Sequence, residues 1–306
     1  MHINLKHHQL SSFLAVAEEG SFSKAAQRLA VSQPALSRTI MMMEETIGAR
    51  LFDRNTRNVS LTPVGEELRS MAKRVVQEID SLSGELQRFV EGRRGRITVA
   101  ALPSVAAILL PTAIARFAAT APEVDIHIRD GLSQRVLGAV EAGDADVGIT
   151  VRSPSKGRLL HQPLCSDEFG LVCRADDPLA QCESVAWSVF GHRPFIAMAS
   201  DSSVRVATDA ALLQAGLQVS PLYECSFLGT VGHLVAAGLG LSALPRLTCP
   251  LTGAGNLVWR RLEAPVVERK IGTVIRADRT SSPATLRFLA VLREVGKELE
   301  TLAAFR

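Results

Sequence analysis

Residues 32–38 read Ser32-Gln33-Pro34-Ala35-Leu36-Ser37-Arg38, a run that mixes side chains able to meet nucleic-acid bases with apolar ones. A Gln carboxamide pairs with adenine and an Arg guanidinium with guanine at the major-groove edge. Ser32 offers a hydroxyl to cap a helix, and Pro34 falls in the first turn, where a missing amide hydrogen costs little. Gln33, Ser37 and Arg38 lie off the apolar stripe of that helix, whose N-terminus itself favours a phosphate. The alternative for each side chain is an ordinary solvated helix face, since phosphate contacts outnumber base contacts in such elements. Arg54 and Arg57 sit in a polar, basic tip between apolar anchors, where they would touch the DNA backbone or minor groove; solvated loop arginines are the competing reading.

A second group of residues suits a small ligand. Ser104, Ser133 and Ser202 (or its neighbour Ser203) each stand where a helix should open after a strand, and parallel-sheet proteins bind ligands at such strand ends. Free amides there hold anions, although each serine can equally cap its own helix. Arg152, just past an expected strand, is either the partner of a ligand carboxylate or half of a surface ion pair. Phe195 and Phe227, with Ile196, are candidate apolar walls or plain core.

Enzyme chemistry finds no support. There is no Gly-x-Ser-x-Gly elbow, no His-Glu-x-x-His site and no Gly-x-x-x-x-Gly-Lys loop. His7 and His8 are adjacent rather than spaced across a helix face, and Cys165, Cys173, Cys182, Cys225 and Cys249 show no Cys-x-x-Cys spacing. Neither a metal nor a cofactor is expected, and the thiols read as reduced and mostly buried.

The elements that position these residues follow from periodicity. Leu10, Phe13, Leu14 and Ala17 mark one face of a first helix, which Gly20 ends. Ser21 or Ser23 caps a second with Ala25, Ala26 and Leu29 inward, and a tight turn leads to a third with Leu36, Ile40, Met43 and Ile47 as its apolar stripe. This is a helix-turn-helix, the last helix entering the major groove. Residues 49–62 read as a hairpin wing. From Pro63 to about Val90 one long helix carries Leu68, Ala72, Val75, Ile79, Leu82, Leu86 and Phe89 in steps of four and three, a heptad seam that needs a partner helix and so predicts a dimer.

At 306 residues and 47% hydrophobic, the chain can fill two or three folded units. Its positive excess sits in the first third: residues 1–96 hold 14 Lys+Arg against 11 Asp+Glu, and residues 97–306 hold 20 against 20. That balance suits a polyanion without establishing one. No leader sequence or membrane span is read, so a cytoplasmic, membrane-free protein is expected.

The block Ser21-Phe22-Ser23-Lys24-Ala25-Ala26, Val31 to Ser37, Glu44, Gly48, Leu51-Phe52-Asp53-Arg54 and Leu61-Thr62-Pro63-Val64-Gly65 resembles the LysR-type transcriptional regulators. The resemblance implies a winged helix-turn-helix, a dimerising linker helix and an effector domain built like a two-lobed periplasmic binding protein, with homotetramers common. It also implies that the serines above converge on one cleft. Met43 and Ile47 replace the family's usual leucines, and the run Met41-Met42-Met43 is unusual, while apolar volume is kept.

The expected fold is therefore α/β overall. A winged helix-turn-helix occupies 1–62, a linker helix 63–92 and an effector domain 93–306, with lobe one at 93–166 and 266–306 and lobe two at 167–265. Strand Ile97–Ala101, helix Ser104–Phe117, strand Val124–Arg129, helix Ser133–Ala142 and strand Asp146–Val151 alternate as a parallel sheet does. Similar segments run from Phe169 to Leu244, strand Arg269–Arg276 returns to lobe one, and helix Pro283–Leu302 closes it. The expected partners are double-stranded DNA, a small-molecule effector, probed first as a carboxylate or other anion, and further copies of the chain; RNA polymerase is left open as another. Two alternatives stand beside this reading: a redox sensor using Cys173 and Cys182, and a solute-binding protein, which the DNA-binding head disfavours.

Overall fold

A computed structural model describes residues 3–54, 59–151 and 158–304, with residues 54 and 301–304 described by backbone alone. Two units are distinguished, Met1–Gln87 and Arg88–Arg306. Among the described residues no helix is long and apolar enough to cross a membrane.

In the first unit, helices α1 (His7–Glu19), α2 (Phe22–Arg28) and α3 (Gln33–Ile47) are followed by the hairpin β1 (Phe52–Arg54) and β2 (Val59–Leu61) and by α4 (Pro63–Val90), which runs on into the second unit. Local chemistry sets the boundaries. Ser21 accepts from the Lys24 amide and Ser32 from that of Ala35, while Gly20 and Gly48 close α1 and α3 in the left-handed region. Phe13 and Phe22 pack their rings on Phe52 at 5.3 and 5.8 Å, so the wing is joined to the helical core. Glu44 strengthens that joint, its Oε1 accepting from the amides of Leu51 and Phe52 at 2.8 and 3.3 Å. Gly65 lets α4 start against the wing, because a Cβ there would stand 2.2 Å from the Leu51 carbonyl oxygen.

The second unit opens with β3 (Arg94–Ala101), α5 (Pro103–Ile108), α6 (Leu110–Thr120), β4 (Glu123–Asp130), α7 (Ser133–Ala142), β5 (Val147–Val151) and the long β6 (Leu159–Arg174). It continues with β7 (Ser184–Ala186), β8 (Ile196–Met198), α8 (Ser203–Gln214), β9 (Tyr223–Cys225), α9 (Leu228–Ala236), β10 (Ser242–Pro245), β11 (Leu257–Glu263), β12 (Glu268–Arg276) and α10 (Pro283–Ala304). The main sheet runs β4-β3-β5-β12-β6-β11-β7, with β10 also paired to β6, and β8 and β9 form a small parallel pair. Two large hydrophobic cores share it, beside a smaller cluster of Ala100, Val136, Val140 and Val274 under α7. One gathers Ile97, Val99, Leu110, Phe117, Ile149, Phe288 and Leu292; the other Phe169, Leu171, Trp187, Phe190, Phe195 and Leu244. These are the two lobes, and β6 and β12, antiparallel over their shared length, are the strands that cross between them.

The sheet departs from the parallel pattern expected of the sequence. Strands β3, β4 and β5 are parallel, but β12 lies antiparallel to both β5 and β6. Strand β6 begins at Leu159, ten residues before the apolar run that betrays it: its first ten residues mix polar side chains with the buried Leu164 and Cys165, and the ladder to β12 holds them extended. The helix expected at 104–117 is broken at Leu109, and α6 restarts at Leu110 with Pro111 in its first turn. Proline supplies no amide to the ladder and crowds the carbonyl four residues earlier.

Candidate functional site

On α3 the residues Leu36, Ile40 and Met43 are buried and fix the helix against its neighbours. Gln33, Pro34 and Arg38 are exposed and Ser37 half-buried. The side chains of Gln33, Ser37 and Arg38 make no hydrogen bond or ion pair among the described residues, which leaves their donors and acceptors available to an external partner. Ser32 is already engaged as the cap, at 3.3 Å from the Ala35 amide. Arg54 ends β1, its backbone paired with Val59; its side chain, like the whole of Arg57, lies outside the described residues.

Between the lobes of the second unit lies a cavity of 230 Å³. Its walls include Ser104 and Leu132 from one lobe, Met198, Ser202 and Phe227 from the other, and Arg269 from the crossing strand β12. Ser202 caps α8, accepting from the Arg205 amide at 3.0 Å. Ser104 is the second residue of α5 rather than its cap, and its buried hydroxyl accepts from Arg269 Nη2 at 2.9 Å. Ser133 opens α7 beside Leu132 without joining the cavity walls, and its Oγ is buried with no hydrogen-bond partner among the described residues. Phe227 is exposed along the wall and precedes α9.

Two expectations need correction or restriction. Phe195 is 2% exposed and packs 4.9 Å from Phe190 in the core of its lobe, so it is not a cavity wall. A strand phenylalanine facing a hydrophobic core gains more from burial than from lining a cleft. Arg152 lies outside the described residues.

The guanidinium that the cavity does hold is Arg269, absent from the sequence-based candidates. Its Nε and Nη2 meet Asp167 Oδ2 at 2.9 and 2.6 Å, and the two side chains are 6% and 1% exposed. Asp167 Oδ1 also accepts from the Leu247 amide at 3.0 Å. One ion pair thus ties both crossing strands to α5 of the first lobe and to the Arg246–Thr252 turn of the second. In the sequence each stands in a charged run, Asp167-Glu168 and Glu268-Arg269-Lys270, just ahead of an apolar stretch, so nothing marks which charge is buried until the strands pair.

The buried cysteines offer little reactive thiolate. Burial pushes the Cys165 and Cys249 thiols up to about 12, and Cys173, inside the second lobe's core, to about 11. A redox pair of Cys173 and Cys182 would need the opposite shift in Cys173.

A winged helix-turn-helix unit followed by a two-lobed α/β unit with a cleft between its lobes defines a DNA-binding regulator that carries its own sensor. Residues 7–66 match the bacterial regulatory helix-turn-helix proteins of the lysR family, and residues 91–297 match the LysR substrate binding domain. The chain belongs to the LysR family of transcriptional regulators, and is a regulator rather than an enzyme. It is 34% identical to the uncharacterized regulator YfeR of Shigella flexneri over 98% of this chain and 96% of that one. It is 33% identical to the uncharacterized regulator YbhD of Escherichia coli K12, over 93% and 91%. Among solved structures, the LysR family regulator CbnR superposes with a TM-score of 0.77 at 20% identity, covering 94% of this chain and 100% of that one. CbnR has also been solved with its target DNA.

Proposed function

We propose that this regulator senses a small carboxylate or comparable anion, held between the lobes by Arg269 with Ser104, Ser133 and Ser202. The observation that carries the reading is the state of Arg269: Nε and Nη2 are committed, while Nη1 takes no partner among the described residues and the residue lines the cavity. A guanidinium held rigid by a buried carboxylate presents its remaining edge at little entropic cost. The N-termini of α7 and α9 add free amides, since neither Leu132 nor Phe227 supplies a side-chain cap and both border the cavity. Apolar walls of Met198, Val204, Phe227 and Leu251 suit a ligand with a hydrocarbon or aromatic body. Arg152 remains a candidate second cation.

On the DNA side, Gln33, Ser37 and Arg38 read base edges, while Ser32, Pro34, Arg54 and Arg57 approach the sugar-phosphate backbone. We read residues 1–62 as the DNA-binding domain, 63–92 as the dimerising linker, and 93–306 as the effector domain of a cytoplasmic homodimer that pairs into tetramers. The exposed Leu82 and Leu86 on α4 support the linker as the contact between copies.

A thermal-shift panel of small carboxylates, their amides and matched amines, run on the full chain, tests the effector class. A true effector at ~100 times its Kd stabilises its domain by about 2.7 kcal/mol, a rise of ~5–10 °C. Carboxylates should shift the transition and their amides should not. A response confined to the amines rejects the anion site.

A further inference from the structure

The recognition helix offers an apolar group among its polar ones. At about 100° per residue, the buried Leu36, Ile40 and Met43 form one stripe of α3, and Pro34, Arg38 and Met41 share the sector facing away from it, with Ser37 on its flank. Met41 follows Ser37 by one turn and is 49% exposed, whereas Met43, two residues on, is 0% exposed. Met42 is equally bare but projects past Arg38 to the far side of the helix. Beyond Arg38 the outward face carries only these two thioethers until the exposed Glu45, whose carboxylate phosphates would repel, so the part of α3 able to lie against DNA ends at Met41.

We propose that Met41 is a sequence-reading residue: its thioether packs on the 5-methyl group of a thymine in the major groove, next to the base pairs met by Ser37 and Arg38. The inference rests on the reading of α3 as the base-contacting helix. Thymine is the base that presents a methyl group in that groove. An unbranched, polarizable side chain can follow the groove floor to reach it, and covering one methyl group is worth about a fourfold gain in affinity. A polar side chain at position 41 would discriminate by hydrogen bonds instead, so the residue sets which base pair is preferred.

Selection from random-sequence duplexes by the full-length protein tests this, comparing the wild type with Met41→Gln, Met42→Gln and Arg38→Ala. The wild type is expected to enrich thymine at one position of each half-site. Met41→Gln should lose that preference alone, and Met42→Gln should keep it. In the selected duplex, uracil in place of that thymine removes only the methyl group; it should weaken the wild type about fourfold and leave Met41→Ala unaffected. An unchanged base profile for Met41→Gln, an equal loss in Met42→Gln, or equal affinity for uracil and thymine overturns the proposal. Arg38→Ala separates the two levels. If it alters the profile while Met41→Gln does not, only the thymine contact fails. If neither alters it, the base-contacting reading of α3 fails and the proposal falls with it.

Discussion

Arg269 cannot be substituted freely, because it answers a charge buried with it. Removing one partner of a buried pair typically costs ~3–5 kcal/mol, since the other charge is stranded, whereas losing a neutral hydrogen bond costs about 1 kcal/mol. Arg269→Ala should therefore destabilise the effector unit far more than Ser104→Ala, and Asp167→Ala with Arg269→Ala should cost less than the sum of the two. Both tryptophans, Trp187 and Trp259, lie in that unit, so urea unfolding followed by their fluorescence reports on it alone. If Arg269→Ala matches the wild type in stability, the pair does not hold the hinge. At this scale the sequence was partly legible. That Ser104 and Ser202 border helix openings could be read because such openings are written in neighbouring residues, and that Gln33, Ser37 and Arg38 lie off the buried stripe of α3 because that stripe is local. The Asp167–Arg269 pair spans 102 positions, and no periodicity reports on a partner that distant. Phe195 was misjudged for the converse reason, since a core ring and a cleft ring look alike until the lobes are in place.

Among the elements, α4 asks most of its surroundings. A helix of 28 residues buries only Gly65 and Ala72 along its length, while Leu82 and Leu86 stand 57% and 63% exposed. Isolated helices draw most of their stability from packing, so this stripe should be covered by another copy of α4. Leu82→Asp should convert the dimer to monomer in sedimentation equilibrium with the helix content unchanged in circular dichroism, because the side chain supports nothing inside its own protomer. An intact dimer would remove Leu82 from the interface. The apolar stripe of α4 was legible in the sequence since heptads are local, as were the caps of α1, α2 and α3. What escaped was long-range. Strand β11 pairs with β6 on one side and β7 on the other, and its half-buried pattern resembles a loop until the ladder that satisfies its amides is known.

For the whole molecule, function requires that effector and DNA bias each other, and such coupling is reciprocal in free energy. The mechanical link must pass through the last turn of α4, which belongs to the second unit. Gly92, at φ +66°, ends the helix there with the Arg93 amide donating to the Arg88 carbonyl at 2.9 Å. A Cβ on Gly92 would lie 2.8 Å from the backbone of Pro283 and Ala284, where α10 begins. Arg287 of α10 closes the joint, its Nη1 donating to the carbonyls of Glu91 and Gly92 at 3.1 and 3.2 Å. The end of α4 is thus clamped to the helix that packs on the first lobe through Phe288 and Phe117, and this clamp is the contact a signal from that lobe would be expected to use. Arg287→Ala, and more severely Gly92→Val, should loosen the clamp. Once an effector is in hand, calorimetry of its binding with and without operator DNA gives the coupling factor, typically ~5–150-fold in such systems. In Arg287→Ala that factor should fall towards one while the effector affinity of the DNA-free protein stays close to wild type. A factor that survives both substitutions would mean that the signal leaves the effector unit by another route.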